Sequence, residues 1–149
     1  MNQSPFLTHR SILLSSYSTA IALRGFTLSL WNGRNWPADL SRVAGMDEKH
    51  FAIAMELITW YRQYGEDDPD FMETGRACEA MALEAKRQAE QQKAYDEWER
   101  QVNRSLGARG IDSSLSFDNY EWFFARFEQG LTPVQAVEQA IAHGLNDKD

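Results

Sequence analysis

Residues 47–64, DEKHFAIAMELITWYRQY, constrain this chain more than any other stretch. Phe51, Ala54, Ile58 and Tyr61 recur at steps of three and four, with Ile53, Leu57 and Trp60 beside them. That spacing predicts a helix whose apolar stripe is too wide to be covered from one side alone. Asp47 and Glu48 stand at its start, where the helix dipole favours acids, and Gly65 follows as a left-handed terminator. With 43% hydrophobic and 12% aromatic residues, the chain has enough apolar surface for a packed core around this helix.

A second, longer helix is predicted directly afterwards. In residues 66–70, EDDPD, Asp68 suits a cap and Pro69 the first helical position. From there to about Arg104 only Gly75 interrupts the helical pattern, which gives a helix on the order of 50 Å long. Phe71, Cys78, Met81 and Ala85 make an apolar seam at its beginning, and Tyr95, Trp98 and Val102 make another near its end. The middle is almost wholly polar, with Lys86 and Glu90, and Lys93 and Glu97, at the pairing distance of four. Such a middle either bridges two packed regions through water or lies along a partner as a coiled coil, so homo-oligomerisation through the long helix is an open expectation.

Ahead of the central helix, Ser4-Pro5 or Thr8 would cap a first helix carrying Ile12, Leu13, Tyr17, Ala20 and Ile21 inward and ending at Gly25. Residues 26–31 suit either a helical extension or a strand. Asn32-Gly33 would fit the turn of a small hairpin between residues 28–31 and 34–36. Pro37 would open a short helix through Leu40 and Val43 to Gly45. Beyond the long helix, residues 103–116, NRSLGARGIDSSLS, read as a linker. Asp118 with Glu121 forms a capping-box pattern for a helix that presents Tyr120, Phe123, Phe124 and Phe127 on one face. Thr132-Pro133-Val134-Gln135 opens a second helix with Val134, Val137, Ala140 and Ile141 inward, before Gly144.

The expected fold is therefore all-α: an N-terminal helical bundle (1–74), a long polar connector helix (75–104), a flexible linker (105–117) and a C-terminal helical hairpin (118–149). No run reaches the length a membrane span needs, and the serines and threonines among residues 11–23 break the apolar core of a signal peptide. The lone Cys78 can make no internal disulfide and suits a helix interface in a reducing compartment.

The net charge of −7 is uneven. Residues 1–46 carry 4 basic groups against 1 acidic and the remainder 11 against 21, so the parts hold +3 and −10. Most of the surface would repel a phosphate backbone, which leaves nucleic-acid contact weak and confined to the N-terminal segment. The outward residues of the last helix, Gln135, Glu138, Gln139 and His143, include no cation for phosphate, so the hairpin is not expected to read DNA.

No catalytic chemistry is expected. His9, His50 and His143 lie far apart without a further ligand at metal spacing, and the D-x-x-H of Asp47 and His50 lacks a second copy. The acidic run at 66–70 departs from a calcium loop at Met72, and no phosphate-cradling or nucleophile motif is present. No cofactor, metal or catalytic residue is assigned. The candidates for partner binding are Trp31, Arg34 and Trp36, where aromatic and basic side chains combine, together with Trp98 and Trp122.

The segment WNGRNWP at residues 31–37, the central helix and YGEDDPDF at 64–71 resemble small helical proteins from the replication modules of temperate bacteriophages. In particular they are similar in style to the helicase-loader-type accessory proteins that deliver a host replicative helicase to a phage origin. The resemblance spans residues 26–73 and carries over no binding residue. It implies a non-enzymatic adaptor that binds a ring-shaped host helicase in the bacterial cytoplasm. The alternative is an acidic mimic of nucleic acid that occupies a basic groove on a host defence or repair enzyme.

Overall fold

Capping and burial together decide where each element starts. In the computed structural model, which describes residues 3–145, every regular element is helical and no strand occurs among the described residues. The helices are α1 (Pro5–Thr8), α2 (Arg10–Leu13), α3 (Ser18–Asn32), α4 (Glu48–Tyr64), α5 (Pro69–Gly107), α6 (Ser114–Asp118), α7 (Tyr120–Glu128) and α8 (Pro133–Ala142). Short 3-10 turns occupy Leu40–Gly45 and Gly65–Asp67. The chain forms two compact units, Met1–Ala85 and Lys86–Asp149, whose boundary falls inside α5. The outermost ends of the first and last expected segments, residues 1–2 and 146–149, lie outside the described residues.

In the first unit, Ser4 caps α1 by accepting the Phe6 N–H. The single first helix expected up to Gly25 is instead three. Helix α2 stops at Leu13 because the Arg24 guanidinium, reaching back from α3, takes the carbonyls of Leu13 at 3.1 Å and Ser15 at 3.0 Å. Those carbonyls are thereby satisfied outside a helix. Gly25 does not terminate anything, since α3 runs through it to Asn32. The hairpin around Asn32-Gly33 is absent as well. The Asn32 carbonyl accepts from Asn35 and Trp36 N–H, so the same turn signal closes a helix. Pro37 precedes, and does not open, the turn at Leu40–Gly45, which Asp39 caps through Ser41 N–H.

Helix α4 starts and stops as its residues dictate: Asp47 accepts the His50 N–H, and Gly65 takes φ +55°. Its buried face is narrower than the sequence stripe. Ile53, Ala54 and Leu57 are buried, with Trp60 and Tyr61 against the same core, whereas Phe51 (43% exposed), Met55 (46%) and Ile58 (42%) face outward. Around α4 the core is completed by Phe6, Leu13, Leu23, Phe26, Leu28, Phe71 and Cys78.

Asp68 caps α5 by accepting the Asp70 N–H at 3.0 Å. Ser4 Oγ (2.6 Å) and Trp60 Nε1 (2.8 Å) donate to its other oxygen, so one buried carboxylate ties α1, α4 and the start of α5 together. Residues 83–90 of α5 are exposed throughout.

The second unit is built on the far end of α5. Tyr95, Trp98, Val102 and Leu106, at steps of three and four, bury against Leu115, Phe123, Ala136, Val137 and Ala140. The expected linker at 105–117 is therefore partly core: Leu106, Leu115 and Ser116 are buried, and Ser116 Oγ donates to Asn103 Oδ1 at 2.7 Å. The Asp118–Glu121 capping box does not form, because Asp118 ends α6 and α7 begins after Asn119 with no side-chain cap. At Thr132 and Gln135 the box is complete in both directions. Gly130, at φ +78°, reverses the chain between α7 and α8 while Leu131 N–H returns to the Arg126 carbonyl at 3.0 Å. Val134 (49% exposed) and Ile141 (37%) fall outside the buried stripe of α8, which is Ala136, Val137 and Ala140.

Candidate functional site

Trp31 lies in the last turn of α3 and Trp36 follows the turn after it, and both indoles point at one carboxylate. Trp31 Nε1 donates to Glu79 Oε2 at 3.0 Å and Trp36 Nε1 to Glu79 Oε1 at 3.1 Å. Buried indole N–H groups need acceptors, and a single glutamate on α5 serves both. The two tryptophans thus clip the turn to α5 and are half-buried against the core, leaving Arg34 exposed between them. Trp98 is 9% exposed and donates to the Leu131 carbonyl at 2.8 Å, which makes it a core residue of the second unit. Trp122 is half-buried, with the Arg126 guanidinium 4.1 Å over its ring and Phe123 and His143 at its edges. The five expected contact residues therefore divide between two units; the four tryptophans are engaged within the chain, and Arg34 is exposed.

The three histidines are each occupied. His9 Nε2 lies 2.9 Å from Glu56, and the His143 ring lies 2.8 Å from the Gln139 carbonyl. His50 sits between Asp47 (2.7 Å from Nδ1) and the Tyr17 hydroxyl (2.9 Å from Nε2), a chain that fastens the start of α3 to the start of α4. The His50 backbone N–H, and then its ring, hold the Asp47 carboxyl below the ordinary carboxylate value. Among the described residues no three His, Cys, Asp or Glu side chains gather as a metal would require. Burial pushes the Cys78 thiol up to about 11, away from the range of a reactive thiolate.

Two surfaces set exposed apolar side chains beside a depression. In the second unit Phe117 is 80% exposed and Tyr120 42%, flanking an open depression of about 500 Å³ that runs from Phe117 to Trp122. The cause is local. Helix α6 is a single turn whose Leu115 and Ser116 face the core, so the next side chain is turned outward. Tyr120 is braced by Phe124, stacked at 5.6 Å, and by the edge of buried Tyr95 at 5.2 Å. In the first unit the outer face of α4 carries Phe51, Met55 and Ile58, beside a groove of about 680 Å³ between α1 and α4 lined by Pro5, Thr8, Met55 and Trp60. Neither surface is legible in the sequence pattern. Phe117 sits in a stretch that composition marks as linker, and the α4 residues belong to a periodicity that looks like core.

Residues 13–100 match the model of a family of unknown function, DUF7673, and the chain belongs to that family. The match runs from the end of α2 into α5 and stops short of α6, α7 and α8. No curated protein and no solved structure matches the chain.

Proposed function

We propose that this chain is a non-catalytic adaptor that grips a protein partner with the aromatic edge of its second unit. The observation that carries this reading is Phe117: a large aromatic side chain, 80% exposed, on a helix whose neighbouring residues are anchored in the core. Rigid exposed aromatics beside a depression supply binding energy with little ordering cost. Among the described residues no helix is long and apolar enough to cross a membrane, which suits a partner met in solution. The resemblance of residues 26–73 to phage replication accessory proteins names the partner to test first, a replicative helicase in the cytoplasm of a bacterial host.

Binding of the full chain to purified replicative helicase tests the proposal. Phe117→Ala is expected to weaken binding by roughly thirtyfold, the effect of a central aromatic anchor, and binding is expected to persist from about 50 to 300 mM salt. A Phe117→Ala chain that binds as tightly as the parent overturns the aromatic-edge reading. Binding that collapses with salt instead favours the acidic chain as a mimic of nucleic acid on a basic groove.

A further inference from the structure

The outer face of α4 carries a pattern that matches itself. Glu48, Phe51, Met55, Ile58 and Arg62 follow at steps of three, four, three and four, the spacing of a coiled-coil seam, and all five are exposed. The seam is symmetric in chemistry: Met55 is at its centre, with an apolar residue and then a charge on either side. Glu48 and Arg62 stand equally far from Met55, at opposite ends and with opposite sign. Among the described residues neither forms an ion pair within its own chain.

We infer that a second copy of this chain covers the face, the two α4 helices packing antiparallel about a two-fold axis through Met55. In that arrangement each Glu48 meets the partner copy's Arg62, and the contact occurs twice. Phe51 falls opposite Thr59 and Ile58 opposite Ala52, so large side chains face small exposed ones and the helices can approach closely. A parallel pairing would put Glu48 on Glu48 and Arg62 on Arg62, which is repulsive at both ends. The charges thereby choose orientation as well as partner. This inference is independent of the adaptor reading, since it concerns a different face and the residues that match the family model.

Sedimentation of the full chain over roughly 1 to 100 µM tests it. The expected result is a mass twice 17.1 kDa for the parent and a monomer for Met55→Glu. E48R and R62E should each weaken the dimer by on the order of tenfold, because each sets like charges opposite one another. An equimolar mixture of the E48R and R62E chains should dimerise more tightly than either alone, since both end contacts become attractive in the mixed pair, and the E48R/R62E double variant should recover parental affinity. A monomeric parent, a dimer that survives Met55→Glu, or a mixture no tighter than its components overturns the inference. The mixture also answers the concern that a variant has simply misfolded, because two misfolded chains would not restore each other.

Discussion

The ring of Trp31 lies directly on Gly75: a methyl group at that position would sit 2.8 Å from Trp31 Cδ2 and closer still to Cε3. Glycine in a helix interior ordinarily costs about 1 kcal/mol against alanine, so its presence in α5 needs a reason, and the indole is that reason. Trp31 has nowhere to retreat, because its N–H is held by Glu79 and its ring meets Phe71 at 6.0 Å. Gly75→Ala is therefore expected to destabilise the first unit by about 1–3 kcal/mol despite the gain in helix propensity, as overpacking outweighs it. Urea denaturation followed by tryptophan fluorescence measures the difference. A Gly75→Ala chain more stable than the parent would show that the indole can move aside.

Asp68 predicts a larger loss. Its two oxygens accept from Ser4, Trp60 and the Asp70 N–H within a 7% exposed site, so removing the carboxylate leaves three donors without their acceptor. Asp68→Ala is expected to cost about 3 kcal/mol or more, against about 1–2 kcal/mol for Ser4→Ala, which removes one donor to Asp68 and the weak α1 cap on the Phe6 N–H. Comparable losses in thermal unfolding for the two variants would contradict the carboxylate's role as the shared anchor.

Much of this local structure is legible in the residues themselves. The caps at Asp47, Asp68 and Thr132, and the terminators at Gly65 and Gly130, depend on side chains within three positions of the backbone they serve. What is not legible depends on partners far along the chain. The gap after Leu13 is held by Arg24, the two indoles are consumed by Glu79, and the stretch 105–117 is tied down because Leu106 and Leu115 within it join the core of the second unit. Periodicity also records the width of an apolar stripe without saying what will cover it. On α4 it groups Phe51 and Ile58 with Ala54 and Tyr61, although the fold covers only the second pair. The candidate surfaces were hidden for the same reason: an exposed aromatic and a buried one have the same spacing.

Capping carboxylates give the first unit an acid-sensitive contribution. In the native chain the Asp47 carboxyl is held below its ordinary 3.8, first by the His50 backbone N–H, and Asp39 is lowered by the Ser41 hydroxyl and N–H. A lowered native value means that the unfolded chain takes up protons first. The stabilisation is complete above 3.8 and is lost as pH falls through the native value. Asp47→Asn keeps a side-chain cap that cannot titrate. It is expected to flatten the fall in stability between about pH 5 and 2, which denaturant titrations at stepped pH would resolve. An unchanged slope would place the acid sensitivity elsewhere.

At the alkaline end the sign reverses, and in the first unit Cys78 contributes to it. The thiol is fully buried between α5 and the core, and burial raises it from 9.0 to about 11. Below 9.0 neither state ionises, so the contribution is intact. As pH rises from 9.0 towards 11 the unfolded chain loses its proton while the native chain keeps it, and stability falls. Cys78→Ala should remove that part of the alkaline slope, at the cost of a small cavity. The same burial leaves the native thiol with about a hundredfold less thiolate than an ordinary cysteine at neutral pH. Labelling by an aromatic disulfide reagent at pH 8 should therefore proceed only as fast as the first unit opens, and should accelerate in urea in step with unfolding. Rapid labelling of the folded chain would mean that Cys78 reaches solvent by a route the packing around Leu23 and Phe71 does not provide.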